Sequence, residues 1–305
     1  MSIDKFEVHQ PVSESVKAID ALYTGVEKFL AEQVELGLCN DDFKISKQQL
    51  KVVMSKGAVW LTDANTTNSK SGKTNRLRRA TKLLKPNQMI HLYYDAKILN
   101  VEVPQAQLLL DKGDYSLWYK PKGMMSQGSK WADHSTIVRF SQTQFTPERQ
   151  GFIVHRLDRA TDGVIVVGHT KSATRQLCEL FAKGSVNKRY LAIVHGDFPE
   201  SLEIDFPVDN KAALSHCIKR DYCPEKDLSL VEIKIDTGRK HQIRRHLSAV
   251  GFAIVGDRLY GKKEQSVDLQ LTSFSLEFVC PMKNQSVSTS LSPSLWPNLN
   301  RLNCG

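Results

Sequence analysis

The sequence predicts an α+β protein with two domains of unequal size. Its 305 residues are 41% hydrophobic, enough for one large core or two domains. Helical patterns at residues 16–36 and 46–57 precede a strand pattern at 89–94. Later in the chain, strand patterns such as 188–194 and 228–235 are accompanied by further helical patterns.

The amino-terminal elements are predicted from apolar spacing and capping residues. Apolar side chains recur at intervals of three and four in the first helix, at Ile19, Leu22, Val26, Phe29, Leu30 and Val34. Ser46 is a good N-cap for the second helix, which is expected to stop near Gly57. The predicted domains are 16–97 and 114–305, preceded by a loose polar tail at 1–15 and joined by a linker at 98–113.

The charge of the chain favours an acidic partner. The formal net charge is +9 and the pI is about 9.2, and nucleic acid is the commonest acidic partner of such proteins. The most basic stretch is residues 69–85, which contains no acidic residue. Its cations are Lys70, Lys73, Arg76, Arg78, Arg79, Lys82 and Lys85. This stretch is predicted to neutralise RNA phosphates, and the alternative is a solvated basic face.

The cysteines and the apolar runs exclude several other classes. None of the six cysteines forms a CxxC pair, and Cys217 and Cys223 with His216 fit no zinc motif, so no metal site is expected. No run of about 18 apolar residues is present to span a membrane. Free thiols are typical of a reducing cytosol, which predicts a cytoplasmic protein.

A charged loop between two apolar runs is the strongest candidate for a reactive site. Phe152–Val154 leads into it and Val164–Val167 follows it, so buried strands are expected on both sides. Asp158 stands there between Arg156 and Arg159, which should keep it ionised as a nucleophile or base. The alternative is a surface turn with an ordinary Asp–Arg pair.

Two later segments carry further candidates. Tyr190 lies in a predicted strand beside Lys188 and could stack on a base or simply belong to the core. After Gly238, a predicted helix begins with a cluster of basic side chains, where the helix dipole is already positive. This suggests a bound anion, unless water alone relieves the repulsion. Residues 199–227 are predicted to form an irregular arm, and the chain ends in a strand at 273–279 and a polar tail.

Four motifs in order resemble the RluA-type pseudouridine synthases. They are YKPKG at 119–123, HRLDRATDG at 155–163, KRYLAIVHG at 188–196 and GRKHQIRRHL at 238–247. The resemblance covers roughly residues 114–257. It implies a catalytic domain with a large mixed, mainly antiparallel sheet flanked by helices and loops. It also implies an enzyme that isomerises uridine in RNA to pseudouridine without a cofactor, and nothing demands more than a monomer.

The resemblance assigns roles to individual residues. Asp158 is implied to be the catalytic carboxylate, Tyr190 to stack on the flipped uracil and help remove a proton, and Arg244 to pair with Asp158. Arg156 is implied to fill the gap that the base leaves in the RNA. The remaining expected RNA contacts of this domain are Arg159, Lys188, Arg239, Lys240, His241 and Gln242. Asp162 stands where the family usually has Ser, and we expect it to point away from Asp158.

The amino-terminal region resembles the small RNA-binding domain of ribosomal protein S4. The matching stretches are KFLAEQ at 28–33, ISKQQLKVVMSKGAVWL at 45–61 and LKPNQMIHLYY at 84–94, with a longer basic insertion before the last. An added RNA-binding domain favours ribosomal RNA as the substrate, whereas GRKHQIRRHL is closer to the tRNA-modifying branch. Two other classes stay open from the residues alone, a non-catalytic RNA-binding protein and a nucleoside glycosidase with paired carboxylates.

Overall fold

The computed structural model of the protein describes residues 4–40, 43–63, 74–261 and 267–302, which form two compact units. The first unit contains the residues up to Val103 together with Gln127–Thr136. The second contains Pro104–Ser126 and the chain from Ile137 onward. Within these described ranges, every helix is too short or too polar to cross a membrane.

The first unit combines a four-stranded antiparallel sheet with two main helices. Its elements are β1 Lys5–Pro11, β2 Val16–Lys17, α1 Ala18–Glu35, α2 Lys47–Ser55, β3 Val59–Asp63, β4 Thr74–Arg76, β5 Leu83–Leu84, β6 Gln88–Asp95 and α3 Ala96–Leu99. The sheet has the order β1-β6-β3-β4, and β2 pairs with β5. Apolar side chains of α1, α2 and the sheet share one core.

Both predicted amino-terminal helices are present. On α1 the buried face includes Leu22 and Val26, as the apolar spacing predicts. At the start of α2, the Oγ of Ser46 accepts a hydrogen bond from the backbone N–H of Gln49, and the Gln49 side chain accepts one from the N–H of Ser46. This reciprocal capping fixes the start of the helix at the predicted residue.

The prediction of a loose tail at residues 1–15 is wrong for most of that segment. Strand β1 pairs along its length with β6, and its Phe6 and Val8 are each only 6% exposed. Phe6 stacks on Phe29 and Tyr94 with ring centroids 5.0 and 4.8 Å apart. The alternation of apolar and polar residues in KFEVHQP is typical of an edge strand with one buried face, which composition alone does not reveal.

The second unit is built on one large sheet. Its elements are β7 Gln107–Asp111, β8 Tyr115–Lys120, α4 Ile137–Thr143, β9 Phe152–Ile153, β10 Asp162–Gly168, α5 Lys171–Ala182, β11 Asn187–His195, β12 Ser201–Ile204, β13 Ser215–Cys223, β14 Leu228–Ile235, α6 Gln242–Ala249, β15 Leu271–Val279 and β16 Ser286–Ser290. The order is β12-β13-β14-β11-β15-β10-β8-β7, with β16 beside β15 and β9 beside β10. Strands β10 and β15 run parallel, and the other described pairings are antiparallel. The predicted mixed, mainly antiparallel sheet is confirmed.

Several boundaries differ from the predictions. The expected linker at 98–113 contains β7, and residues 127–136, expected in the catalytic domain, belong to the first unit. The expected irregular arm at 199–227 contains β12 and β13, which extend the sheet from β14. Most residues of β13 are at least partly exposed, so its sequence is polar enough to look like a loop.

Candidate active site

The loop that carries Asp158 is anchored on both sides. It lies between β9 and β10, as the flanking apolar runs predict, and every residue of β10 is buried. The backbone N–H of Leu157 donates to the Oγ of Ser126 at 3.0 Å, and that hydroxyl donates to the Leu157 carbonyl at 2.6 Å. After Asp158 the chain turns, with the Thr161 N–H donating to the Asp158 carbonyl at 3.1 Å. A rigid backbone therefore presents the carboxylate.

The YKPKG turn braces this loop. The N–H of Gly123 donates to the carbonyl of Arg159 at 2.8 Å, and the Arg159 Nε donates back to the Gly123 carbonyl at 3.2 Å. Lys120 is fully buried, and its Nζ donates to the carbonyls of Pro121 and Met124 at 3.1 and 2.9 Å. Burial lowers the pKa of the Lys120 amine to about 8, against the opposing attraction of Asp162 and Asp158.

Arg244 is held by a second carboxylate that the sequence did not reveal. Its Nε and Nη2 each donate to Asp257 at 2.8 Å, in the bidentate geometry that suits a guanidinium and a carboxylate. Burial alone would raise the pKa of Asp257, but the hydrogen bonds from Arg244 and from the N–H groups of Tyr260 and Leu259 bring it below its usual value. Arg244 therefore has a fixed orientation.

The third nitrogen of this guanidinium faces the predicted catalytic residue. The Nη1 of Arg244 lies 3.5 Å from Oδ2 of Asp158, which agrees with the expected pairing of the two. The two cations beside Asp158 in the sequence do not play this part. Arg156 is exposed, and Arg159 hydrogen-bonds to Gly123 instead.

His241 is the second side chain next to Asp158. Its Nε2 lies 3.6 Å from Oδ1 of Asp158, and its Nδ1 is 3.0 Å from the hydroxyl of Tyr260. Burial lowers the pKa of His241, and nearby Asp158 only partly opposes that effect. The ring is therefore mainly neutral at pH 7, and it acts as a hydrogen-bonding neighbour rather than a second cation.

Tyr190 reaches the same place from β11. The pairing of β11 with β15 shifts between Arg189 and Tyr190, and such a bulge can change the direction of a side chain. Burial raises the pKa of Tyr190 to about 12, although a hydrogen bond with Ser273 opposes the shift. The phenol is therefore protonated at neutral pH and can donate or relay a proton, but it is not a preformed base.

These groups meet in a cavity of about 90 Å³. Asp158, Tyr190, Arg244 and His241 all line it, together with apolar side chains such as Leu271. The Arg244 guanidinium, the protonated Tyr190 phenol and apolar side chains surround the Asp158 carboxylate, which is about 30% exposed. The arrangement can hold a small planar group against the Asp158 carboxylate and can pass a proton beside it.

Asp162 is buried away from this cavity. One of its carboxylate oxygens accepts a hydrogen bond from Thr272 Oγ1 at 2.6 Å, and the other accepts one from the Tyr119 hydroxyl at 3.1 Å. It does not belong to the described residues that line the cavity beside Asp158. This placement agrees with the expectation that Asp162 points away from Asp158.

The expected RNA contacts of the second unit fall into two groups. Arg156, Arg159, Arg239 and Lys240 are exposed, so they are available to a ligand. Gln242 lies in the wall of the Asp158 cavity and not on the outer surface, and its contact with RNA stays a prediction. It is 3% exposed, and its amide accepts from Thr237 and the Arg239 N–H and donates to Leu214 and Ser215.

Lys188, which was expected to contact RNA, lies in the wall of an internal cavity of the second unit and not on its outer surface. It is 6% exposed and lines a second cavity next to the first. The alternating pattern of β11 places its side chain on a buried face, and charge alone did not reveal this.

Arg76 and Arg78, two cations of the basic stretch at residues 69–85, form ion pairs within the first unit. The Nη2 of Arg78 donates to both carboxylate oxygens of Asp133, and the Nε of Arg76 lies 3.2 Å from the same group. Arg76 also packs over the Trp60 ring, with its guanidinium carbon 4.2 Å from the ring centroid. Arg76 and Arg78 thus share Asp133 as a partner inside the first unit, and their contact with RNA stays a prediction. Arg79 and Lys82 are exposed, while Lys70 and Lys73 lie outside the described residues.

Comparison with known proteins decides the family. The model of the RNA pseudouridylate synthase family matches residues 114–249. The dual-specificity RNA pseudouridine synthase RluA of Escherichia coli (strain K12) is 34% identical over 161 residues, covering 48% of this chain and 72% of that protein. The chain belongs to the RluA-type RNA pseudouridine synthases. It is thus an isomerase of the class that converts uridine to pseudouridine.

Other relatives of this RluA-type chain extend the comparison. The ribosomal large subunit pseudouridine synthase D of Zymomonas mobilis is 34% identical over 141 residues, covering 41% of this chain but only 44% of that enzyme. The solved structure of human RNA pseudouridylate synthase domain containing 1 has a TM-score of 0.55 and 22% identity, and the match covers 65% of this chain and 87% of that one. This similarity shows a shared fold.

Proposed function

We propose that this RluA-type enzyme isomerises specific uridines of structured RNA, with Asp158 as the catalytic carboxylate. The observation that supports this most is the position of Asp158 on a braced loop, in one small cavity with Tyr190 and with an Arg244 that is itself fixed by Asp257. The Arg244 guanidinium at 3.5 Å supplies a positively charged partner for the carboxylate that attack or proton transfer requires.

The other roles follow from position. Tyr190 stacks against the extruded uracil and donates or relays a proton, since its phenol is protonated at neutral pH. Arg156, exposed at the mouth of the cavity, occupies the gap that the extruded base leaves. Extrusion costs a few kcal/mol of lost stacking, which a cation between phosphates can offset.

Ribosomal RNA is the substrate we favour, with tRNA as the second candidate. One relative is named for the large ribosomal subunit, and another is named as dual-specificity. The first unit, with Arg79 and Lys82 exposed, is proposed to be an S4-like RNA-binding domain that adds contacts to a large RNA. The described cysteines are free, which fits a cytoplasmic location.

Pseudouridine mapping of total RNA tests this function. Cells that lack the protein are complemented with wild type or with Asp158→Asn, and the RNA is mapped at single-nucleotide resolution. We expect one or a few positions in ribosomal RNA to lose pseudouridine and only wild type to restore them. Restoration by Asp158→Asn would remove Asp158 from the chemistry, and an unchanged map would favour a non-catalytic RNA-binding protein. Free uracil released from purified RNA would favour a glycosidase.

A further inference from the structure

A second cavity of about 520 Å³ lies next to the one that holds Asp158. The two share wall residues, including Arg156, Tyr190 and Arg239, so they are neighbours on either side of these side chains. The volume is within the range of about 300–1,000 Å³ that is typical of ligand pockets. Nothing in the proposed isomerisation at Asp158 uses this space.

The feature that points to a ligand is Lys188. It is 6% exposed and lines the cavity, yet within the described part of the chain its Nζ has neither a hydrogen bond nor an ion pair. Burial lowers the pKa of Lys188, and Asp236 only partly opposes this. A mostly buried lysine that lines a cavity and has no protein partner for its ammonium group among the described residues is suited to bind an anion there.

The charges around the cavity favour the same anion. Besides Lys188, the guanidinium groups of Arg156 and Arg239 line it, against one carboxylate, that of Asp236. Asp236 is already engaged, because His216 Nε2 lies 3.1 Å from it, and this contact raises the pKa of His216. Three cations at one cavity match a phosphate group.

The rest of the wall is suited to a nucleobase. The His155 ring stacks on Phe181 with centroids 4.2 Å apart, and both line the cavity. Burial lowers the pKa of His155 to about 3, so the ring is neutral. Its Nε2 accepts a hydrogen bond from the Val166 N–H at 3.1 Å, which leaves Nδ1 to carry the proton as a donor. An aromatic wall with one donor beside a cationic group is the chemistry of a nucleotide site.

We propose that the Lys188 cavity binds the phosphate and base of a nucleotide that adjoins the target uridine in the RNA. This inference rests on the proposed function and adds a second nucleotide subsite to it. A strand that places uridine beside Asp158 passes Arg156 and Arg239, and its next phosphate reaches the Nζ of Lys188. The enzyme then reads the identity of a flanking base as well as the uridine.

A double-substitution experiment tests the phosphate contact. Lys188→Met keeps most of the apolar stem of the side chain and removes its charge, and the matched control Lys234→Met removes an exposed charge from neighbouring β14. The ligand is a fragment of the RNA identified by mapping, with single phosphates near the target uridine replaced by neutral methylphosphonates. We expect one such replacement to weaken binding to wild type about tenfold and binding to Lys188→Met no further. Lys234→Met should behave as wild type.

The outcomes separate this inference from the proposed function. Equal losses for wild type and Lys188→Met at every phosphate would overturn the subsite while leaving wild-type conversion of the uridine intact. Lys188-dependent binding of free UMP, without coupling to any RNA phosphate, would also overturn it and identify a site for a free nucleotide. If wild type forms no pseudouridine, the proposed function itself fails.

Alkylation of a cysteine gives a readout that needs no variant. Cys178 lines the cavity and is partly exposed, while Cys223 is partly exposed elsewhere in the unit. Iodoacetamide labelling at pH 8.5, followed by peptide mass spectrometry, should show that the bound RNA fragment slows labelling of Cys178 severalfold and leaves Cys223 unchanged. Equal labelling of Cys178 with and without RNA would contradict an occupied cavity.

Discussion

The carboxylate of Asp257 binds the guanidinium of Arg244 at two nitrogens, each at 2.8 Å, and thereby fixes the direction of the third. That third nitrogen lies 3.5 Å from Asp158. Asp257 is 1% exposed and is not itself among the described residues that line the cavity, so it acts through Arg244 as a positioning residue.

Replacing Asp257 by Asn should damage both stability and turnover. The variant removes the bidentate charged partner of the buried Arg244 and leaves only the longer contact with Asp158, which should cost about 3 kcal/mol of the free energy of unfolding. The turnover number should fall about tenfold or more because Arg244 is no longer held toward Asp158. Urea denaturation and single-turnover kinetics measure the two effects. The control is Asp209→Asn, which breaks the exposed ion pair between Asp209 and Arg245, the neighbour of Arg244 on α6. This control should leave stability and turnover unchanged.

Replacing Asp162 by Ser should separate stability from chemistry. The variant removes a buried acceptor of hydrogen bonds from Thr272 and Tyr119, so the melting temperature should fall. Turnover of the remaining folded enzyme should stay close to wild type, since the carboxylate lies away from the Asp158 cavity. A large loss of turnover at a temperature where the variant is fully folded would show that Asp162 takes part in the reaction.

The cations of the basic segment should differ in what they do. Arg79→Ala should reduce the slope of log affinity against log salt for RNA binding by about 0.7–0.9 and leave stability unchanged, because Arg79 is exposed. Arg78→Ala should instead lower stability, because it leaves the partly buried Asp133 with fewer partners. Salt titrations of binding and thermal unfolding distinguish them. An equal effect of both variants on the salt slope would contradict the structural role of Arg78.

Lys120 should make stability depend on pH in the alkaline range. Its pKa is about 8 in the folded protein and near 10.5 when unfolded, so the unfolded chain holds more protons between these values. Stability therefore rises with pH across that window. Relative to Lys120→Met, wild type should gain about 3 kcal/mol between pH 7 and pH 10.5. The exposed control Lys171→Met should show the pH dependence of wild type, and a flat difference for Lys120→Met would contradict the shift.

Local patterns in the sequence predicted several helices and the Asp158 loop of this protein. They could not predict ion pairs between residues that are distant in the sequence. Ser46 and the apolar spacing of α1 located two helices, and the runs around Asp158 located the loop, because caps and periodicity act over a few residues. The pairs of Arg78 with Asp133 and of Arg244 with Asp257 depend on tertiary contacts.

Partly exposed strands were also difficult to predict from the sequence. β1 and β13 each bury one face only, so their composition is that of a loop or tail, and only the pairing with β6 and β14 identifies them as strands. The same limit applied to Lys188, since a charged residue gives no sign in the sequence that the fold will bury it.

The membership of Gln127–Thr136 in the first unit has a consequence for the order in which the chain folds during synthesis. Ala132 of this segment is fully buried there, and Asp133 supplies the carboxylate for Arg76 and Arg78. The ribosome completes β7 and β8 of the second unit before it makes these residues. The last residues of the amino-terminal unit are therefore made only after part of the second unit, and the two units are synthesised as interleaved stretches of nascent chain.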